Sequence, residues 1–231
     1  MTNTAEHCDA LVRDADKDRF LASLFAPSTA RADLLALYAF DIETAAVAHR
    51  VREPMAGEIR LQWWHDAITG KTPADGHPVA EALLAAIRRH VIPVGLALGV
   101  IEGRQRALYP DWNPGEGEFE LMASETTGAI YQMAAHILGG APREATKLAS
   151  HHAGVATMAV QADAADELTF DVATLAQRHF EATRSLLPAL PNAVLPAFLP
   201  LALLARGRSG WPQWRKQWAL WRASKRLGDW L

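Results

Sequence analysis

Apolar residues recur at three- and four-residue steps along almost the whole chain, and alanine and leucine dominate them. That period places one apolar stripe on each of a series of helices. Alternating runs of the strand kind are absent from the pattern, and β-branched residues are scattered. The spacing predicts helices over about 7–25, 29–51, 54–69, 78–91, 93–108, 116–138, 142–160, 167–187, 190–206 and 211–227. Asp9 and Ser28 are candidate N-caps, and Pro54, Pro93 and Pro142 fall where a first turn tolerates proline. "TGKTPADGHP" and "YPDWNPGEG" concentrate turn residues between helices. Neither is long enough to separate domains, and no fixed-period repeat is visible, so the expectation is an all-α fold forming a single domain over 1–231.

Composition adjusts this picture. The net charge of −3 over 231 residues argues against a nucleic-acid partner, which would need a basic face. The charge is uneven: Arg206, Arg208, Arg215, Lys216, Arg222, Lys225 and Arg226 crowd the C-terminal segment, opposed there by Asp229. The single cysteine, Cys8, excludes an internal disulfide and a thiolate zinc cage. The polar, acidic N-terminus does not read as a signal peptide, and no apolar run has the length of a transmembrane helix. A cytoplasmic location follows as the expectation, with contact at the inner membrane left to the basic tail.

Three blocks carry a family resemblance. "DRFLASLFAPSTARADLLALYAFDIETAAVAHRVREPMAGEIRLQWWHDAITG" resembles the opening of the squalene/phytoene synthase family. "HPVAEALLAAIRRHVIPVGLALGVIEGRQRAL" is similar to the helix pair that follows there, and "FELMASETTGAIYQMAAHILGG" to the family's tyrosine-bearing helix. "EPMAGEIRLQWWHDAI" is most similar to the branch that includes a mitochondrial complex I assembly factor. The resemblance implies an isoprenoid-synthase-like helical bundle around a central cavity, lined by Tyr38, Asp41, Tyr131 and Gly154. In active members two aspartate-rich segments hold magnesium ions that grip prenyl diphosphates, because hard magnesium needs carboxylate oxygens. Laid out from Tyr38, the first acidic positions fall on Ala45, Ala46 and His49, none of them an acid. The second segment, after "AGVATMAV", runs straight into "QADAADELTF", as though the C-terminal half were shortened. Asp163, Asp166 and Glu167 lie outside the pattern and read as a solvated turn.

The remaining acids and histidines offer little. Asp41 and Glu43, two residues apart, point to different sides of a helix and cannot share an ion. Glu58 and Asp66 read as structural partners of Arg60 or His65. Among nine histidines no H-x-x-x-H spacing occurs, and the adjacent His151 and His152 are expected to diverge. The expectation is therefore no metal and no cofactor, and a non-catalytic assembly or binding factor with respiratory-complex subunits or assembly proteins as partners and an apolar isoprenoid-like ligand for the cavity. The alternative is a magnesium-dependent prenyltransferase condensing isoprenyl diphosphates.

The tail "WPQWRKQWALWRASKRLGDWL" places Trp211, Trp214, Trp218 and Trp221 in one stripe, with Arg215 and Arg222 along its edge. Large aromatics usually pack inside, so the stripe is expected to be the core face of the last helix. The competing reading is docking on a membrane or a partner.

Overall fold

One helix organises the rest. In a computed structural model of the chain, which describes residues 4–51, 53–109, 113–162, 168–204 and 210–225, helix α3 (Ser28–Arg50) runs through the middle. All nine residues from Asp33 to Asp41 are buried, so this stretch is enclosed on every side rather than amphipathic. Around it lie α1 (Thr4–Ala15), α2 (Lys17–Ser23), α4 (Pro54–Thr69), α5 (Pro78–His90), α6 (Val94–Arg106) and α8 (Ala129–Gly139), each packed against it. A second layer is formed by α7 (Glu116–Ala123), α9 (Glu144–Ala162), α10 (Val172–Leu186), the short α11 (Leu201–Leu204) and α12 (Gln213–Lys225). No strand occurs among the described residues, and one hydrophobic core extends from Cys8 to Ala223.

The two most specific sequence blocks meet face to face. Phe40 of "LYAF" packs edge-on against Trp64 of "LQWW", their ring centroids 5.2 Å apart. Trp64 also touches His77, which accepts a hydrogen bond from Ala80 N at 3.3 Å and so caps α5. Its other ring nitrogen lies 3.6 Å from Glu43, which accounts for that acid without a metal. At the start of α3, Asp33 is buried between Arg89 and His90 from the last turn of α5, tying the two helices together.

Several expected elements differ. The helix expected over 7–25 is broken at Asp16, whose side chain leaves the helical path to accept from Arg19 N at 2.9 Å and start α2. Asp9 is not a cap but lies inside α1, paired with Arg13. Ser28 is the first residue of α3, with Pro27 at the cap position. Of the helix expected over 190–206, the described part, 190–204, is instead a chain of tight turns, with 3-10 segments at Leu187–Ala189 and Asn192–Ala197 before α11. Pro191, Pro196 and Pro200 each lack the N–H that an α-helix needs, while Phe198, Leu199 and Leu201 still bury their side chains. Glu58 takes a different partner, Tyr109, which donates to it, whereas Asp66 pairs with His65 at 3.2 Å as expected and also accepts from Gln62 at 2.9 Å. Asp163, Asp166 and Glu167 lie outside the described residues.

The rod expected over 116–138 contains a π-turn at Ser124–Gly128, where the extra residue swings the backbone outward. This turn meets α9 with almost no space. A Cβ on Gly154 would lie 2.3 Å from Gly128 N and 2.4 Å from Gly128 Cα, so Gly154 serves a helix crossing and does not line the cavity. Gly154→Ala is expected to destabilise the fold by about 1–3 kcal/mol, since backbone rather than a flexible side chain must move. Gly117→Ala, on an open face of α7, is expected to stabilise by up to ~1 kcal/mol. Urea unfolding midpoints of the two variants check both signs, and equal midpoints would refute the close crossing.

Candidate functional site

The enclosed part of the bundle holds a cavity of ≈ 190 Å³, walled by Tyr38 and Asp41 of α3, Arg104 of α6, Tyr131 of α8 and Thr157 of α9. The break between α1 and α2 supplies Asp16 and Arg19, and Pro200 and Leu204 close the far side. Four charged groups form a chain across it. Asp16 accepts from Arg19 Nε at 2.6 Å, Arg19 Nη1 donates to Asp41 at 2.7 Å, and Arg104 Nη2 donates to the other Asp41 oxygen at 2.9 Å. The Arg19 guanidinium also lies over the Tyr38 ring, 5.0 Å from its centroid.

Burial alone would raise the Asp41 carboxyl, but Arg19 and Arg104 outweigh it and hold the group below the ordinary carboxylate value. For Arg19 burial opposes the charge, and Asp16 with Asp41 reverses the balance, so the guanidinium stays protonated. Tyr38 and Tyr131 are both pushed up by burial and remain neutral phenols. The Tyr131 hydroxyl pairs with Thr157 at 3.0 Å, and its ring stacks on Phe198. One polar atom of the set is left over: Arg104 Nε is buried without a hydrogen-bond partner.

The sequence pattern of squalene/phytoene synthase matches residues 12–161. The chain belongs to the squalene/phytoene synthase family. The bundle is similar to the crystal structure of a dehydrosqualene synthase in complex with ligand, with a TM-score of 0.73 at 14% identity, covering 96% of this chain and 95% of that one. At that identity the likeness speaks for the all-α isoprenoid-synthase fold. In sequence it is 31% identical over 153 residues to NADH dehydrogenase (ubiquinone) complex I, assembly factor 6 of Bos taurus, covering 65% of this chain and 46% of that protein. The Homo sapiens protein of the same name is 30% identical over 152 residues, covering 64% and 45%. The chain thus spans about half the length of these curated relatives.

The magnesium–diphosphate chemistry of the squalene/phytoene synthase family does not fit the residues present. Ala45 and Ala46 offer no oxygen and are half-buried beyond the cavity wall, and His49 is exposed at the end of α3. The carboxylates that do line the cavity, Asp16 and Asp41, already accept from guanidiniums. Asp18, at the rim, is taken by Lys216 of α12 at 2.7 Å. A second cation would have to displace arginines that nothing else in the cavity could neutralise.

Two features depart from what the sequence leads one to expect. The tryptophan stripe is not the core face of α12: Ala219, Leu220 and Ala223 are buried, and the tryptophans lie on the other side. Trp214, Trp218 and Trp221 are 64%, 53% and 53% exposed, and Trp211, just before the helix, is 37% exposed. Arg215 lies over Trp214 and Arg222 over Trp218, at 5.1 and 4.7 Å from the ring centroids. The expected core packing fails because the opposite face offers Leu220 between two alanines, and that face fits the bundle more closely. No helix among the described residues is long and apolar enough to cross a membrane.

The second feature is a histidine trio. His151 and His152 do not diverge: their ring centroids lie 4.9 Å apart, and the His179 ring of α10 meets both, at 5.7 and 5.0 Å. Successive residues leave a helix about 100° apart, yet these two rings turn to meet edge to face, with 64° between their planes. Burial, then the neighbouring His151 and His179, bring His152 down to about 4, and burial lowers His179 despite Glu120. No spacing rule within one helix signals such a set, because its third member comes from another helix.

Asp41→Asn removes the charge that both arginines share. It is expected to cost about 3–5 kcal/mol, the usual penalty for unpairing a buried charge. Because the folded-state carboxyl lies below its unfolded value near 3.9, the wild-type contribution is present above that pH and lost as pH falls through the folded value. Urea midpoints from neutral pH downward check this: the gap between wild type and Asp41→Asn narrows in acid, and a pH-independent gap would refute the ion chain.

Proposed function

We propose that this member of the squalene/phytoene synthase family is a non-catalytic assembly factor for a respiratory NADH dehydrogenase, like the curated relatives it resembles. The observation that carries this reading is the Asp16–Arg19–Asp41–Arg104 chain. Where a prenyltransferase needs free carboxylates to hold magnesium, this cavity presents carboxylates already neutralised by guanidiniums. The volume of ≈ 190 Å³ also falls below the roughly 300–1,000 Å³ of pockets that enclose a drug-sized ligand, and two prenyl diphosphates need more. A single short isoprenoid-like chain suits the remaining space.

Purified protein with farnesyl or geranylgeranyl diphosphate and magnesium is expected to release no diphosphate and form no squalene or phytoene. Magnesium-dependent release would overturn the reading. In a pull-down from native membranes, NADH dehydrogenase subunits or their assembly intermediates are the expected companions, and enrichment of isoprenoid enzymes in their place counts against it.

Such a factor works at a membrane, and α12 is the element suited to touch one. Its exposed face combines Trp214, Trp218 and Trp221 with Arg215, Arg222 and Lys225, a pairing that suits the headgroup region of an anionic bilayer. Each basic residue near such a surface contributes roughly 1 kcal/mol, and the contribution is screened by salt. In flotation assays the protein is expected to bind anionic vesicles, less so in high salt, and neutral vesicles weakly. Trp214→Ala/Trp218→Ala/Trp221→Ala should lose binding while keeping its melting temperature, because the buried face of α12 is untouched. A variant that floats like the wild type would exclude this face as the docking surface, as would a wild type that binds neither vesicle.

A further inference from the structure

We propose that His151 and His152 of α9 and His179 of α10 form a binding site for a divalent transition-metal ion, zinc by preference, that pins the two helices together. One ligand nitrogen from each ring can be chosen so that all lie within 4.8 Å of one another. His152 Nδ1 and His179 Nδ1 are 3.0 Å apart. Zinc–nitrogen bonds of 2.0–2.1 Å in a tetrahedron set ligand nitrogens roughly 3.3 Å apart, so the pair needs only a small spread to admit the ion. None of the three lines the central cavity, so the site is distinct from it.

The surroundings are those of an oriented ligand. His179 Nε2 lies 3.1 Å from a Glu120 oxygen on α7. Glu120 is itself fixed by Arg178, which also donates to Glu116 at 2.8 Å. A carboxylate on the far nitrogen of a metal-binding histidine sets its tautomer and turns its ring. With its Nε2 proton given to Glu120, His179 directs the Nδ1 lone pair at His152. Without a metal, His152 Nδ1–H donates to that lone pair. On binding, the His152 proton moves through solvent from Nδ1 to Nε2, so the ring stays neutral and both Nδ1 atoms become donors to the ion. Glu116, Glu120 and Arg178 together leave one negative charge beside the site, which favours a cation.

The donor set selects the metal. Three imidazoles with no carboxylate or thiolate in the first ring of ligands favour zinc, cobalt or nickel over magnesium and calcium. Three protein ligands leave a fourth position for water or an added donor. The bond would fasten α9, which forms a wall of the cavity through Thr157, to α10 on its outer side.

The test uses the full-length, untagged chain stripped of metal with a chelator and then titrated with Co²⁺ and, separately, with Zn²⁺ against a chromogenic competitor. One equivalent of Co²⁺ should give the intense visible bands of a four-coordinate site, and one equivalent of Zn²⁺ should raise the melting temperature. His151→Ala and His152→Ala, both at half-buried positions, should lose the bands while remaining folded by circular dichroism. Glu120→Gln should keep the bands but weaken affinity about 10–100-fold, as loss of an outer carboxylate does elsewhere. A folded wild type without bands would overturn the site. So would bands and affinity that survive in both histidine variants, since the ion would then be bound at other histidines.

Discussion

The interior of this protein depends on one carboxylate held between two guanidiniums. Asp41 sits at the end of the fully enclosed stretch of α3, where an unpaired charge would be costly, and its pairing with Arg19 and Arg104 makes that position tolerable. The consequence spreads outward. Arg19 can reach Asp41 only because Asp16 breaks the first helix and redirects the chain, and Arg104 reaches it only because α6 crosses at that height. Thus α2, α3 and α6 are positioned by a single charge balance, and the cavity beside them inherits its polarity.

That balance also explains why the fold persists without the family's acids. A carboxylate cluster in a low-dielectric cavity repels itself unless metal ions neutralise it, so a bundle that carries one is strained whenever the metal is gone. Replacing the cluster with alanines beyond the cavity, and tying the remaining acids to arginines, gives a bundle whose charges are satisfied by its own chain.

Much of this is legible from residue spacing, and the failures have identifiable causes. The helices from 29 to 160 follow the apolar period because each buries a stripe against its neighbours, and Phe40 and Trp64 meet because large aromatics in neighbouring helices fill the same layer. The break at Asp16 is hidden because "DADKDR" is as compatible with a solvated helix face as with a cap, and only the long-range pair with Arg19 and Asp41 decides between them. Over 190–206 the apolar content suggests a helix although three prolines deny it the hydrogen bonds; burial survives the loss of the helix. Tyr38, Asp41 and Tyr131 reach the cavity as the resemblance implies, whereas Arg19 and Arg104, which give the site its character, carry no local signal. A basic residue on a helix is ordinarily solvated, and nothing in its neighbours reveals that it turns inward.

The outward tryptophans and the inward histidines invert the usual expectation in the same way. Reading amphipathicity from side-chain size assigns the largest residues to the core, but α12 is joined to the bundle through Leu220, flanked by Ala219 and Ala223, which are small enough to let its backbone come close. Turning the helix over would bury three indoles where two alanines and a leucine now fit, and would place Leu220 in water for little compensation. On α9 the corresponding choice falls in favour of polarity: His151 and His152 are half-buried against the buried His179, whose far nitrogen faces the partly exposed Glu120, itself paired with the exposed Arg178. A seam that needed only packing would not require an oriented imidazole with its far nitrogen held by a carboxylate. That orientation of the buried His179 ring is the physical reason to regard the trio as a site rather than as filling.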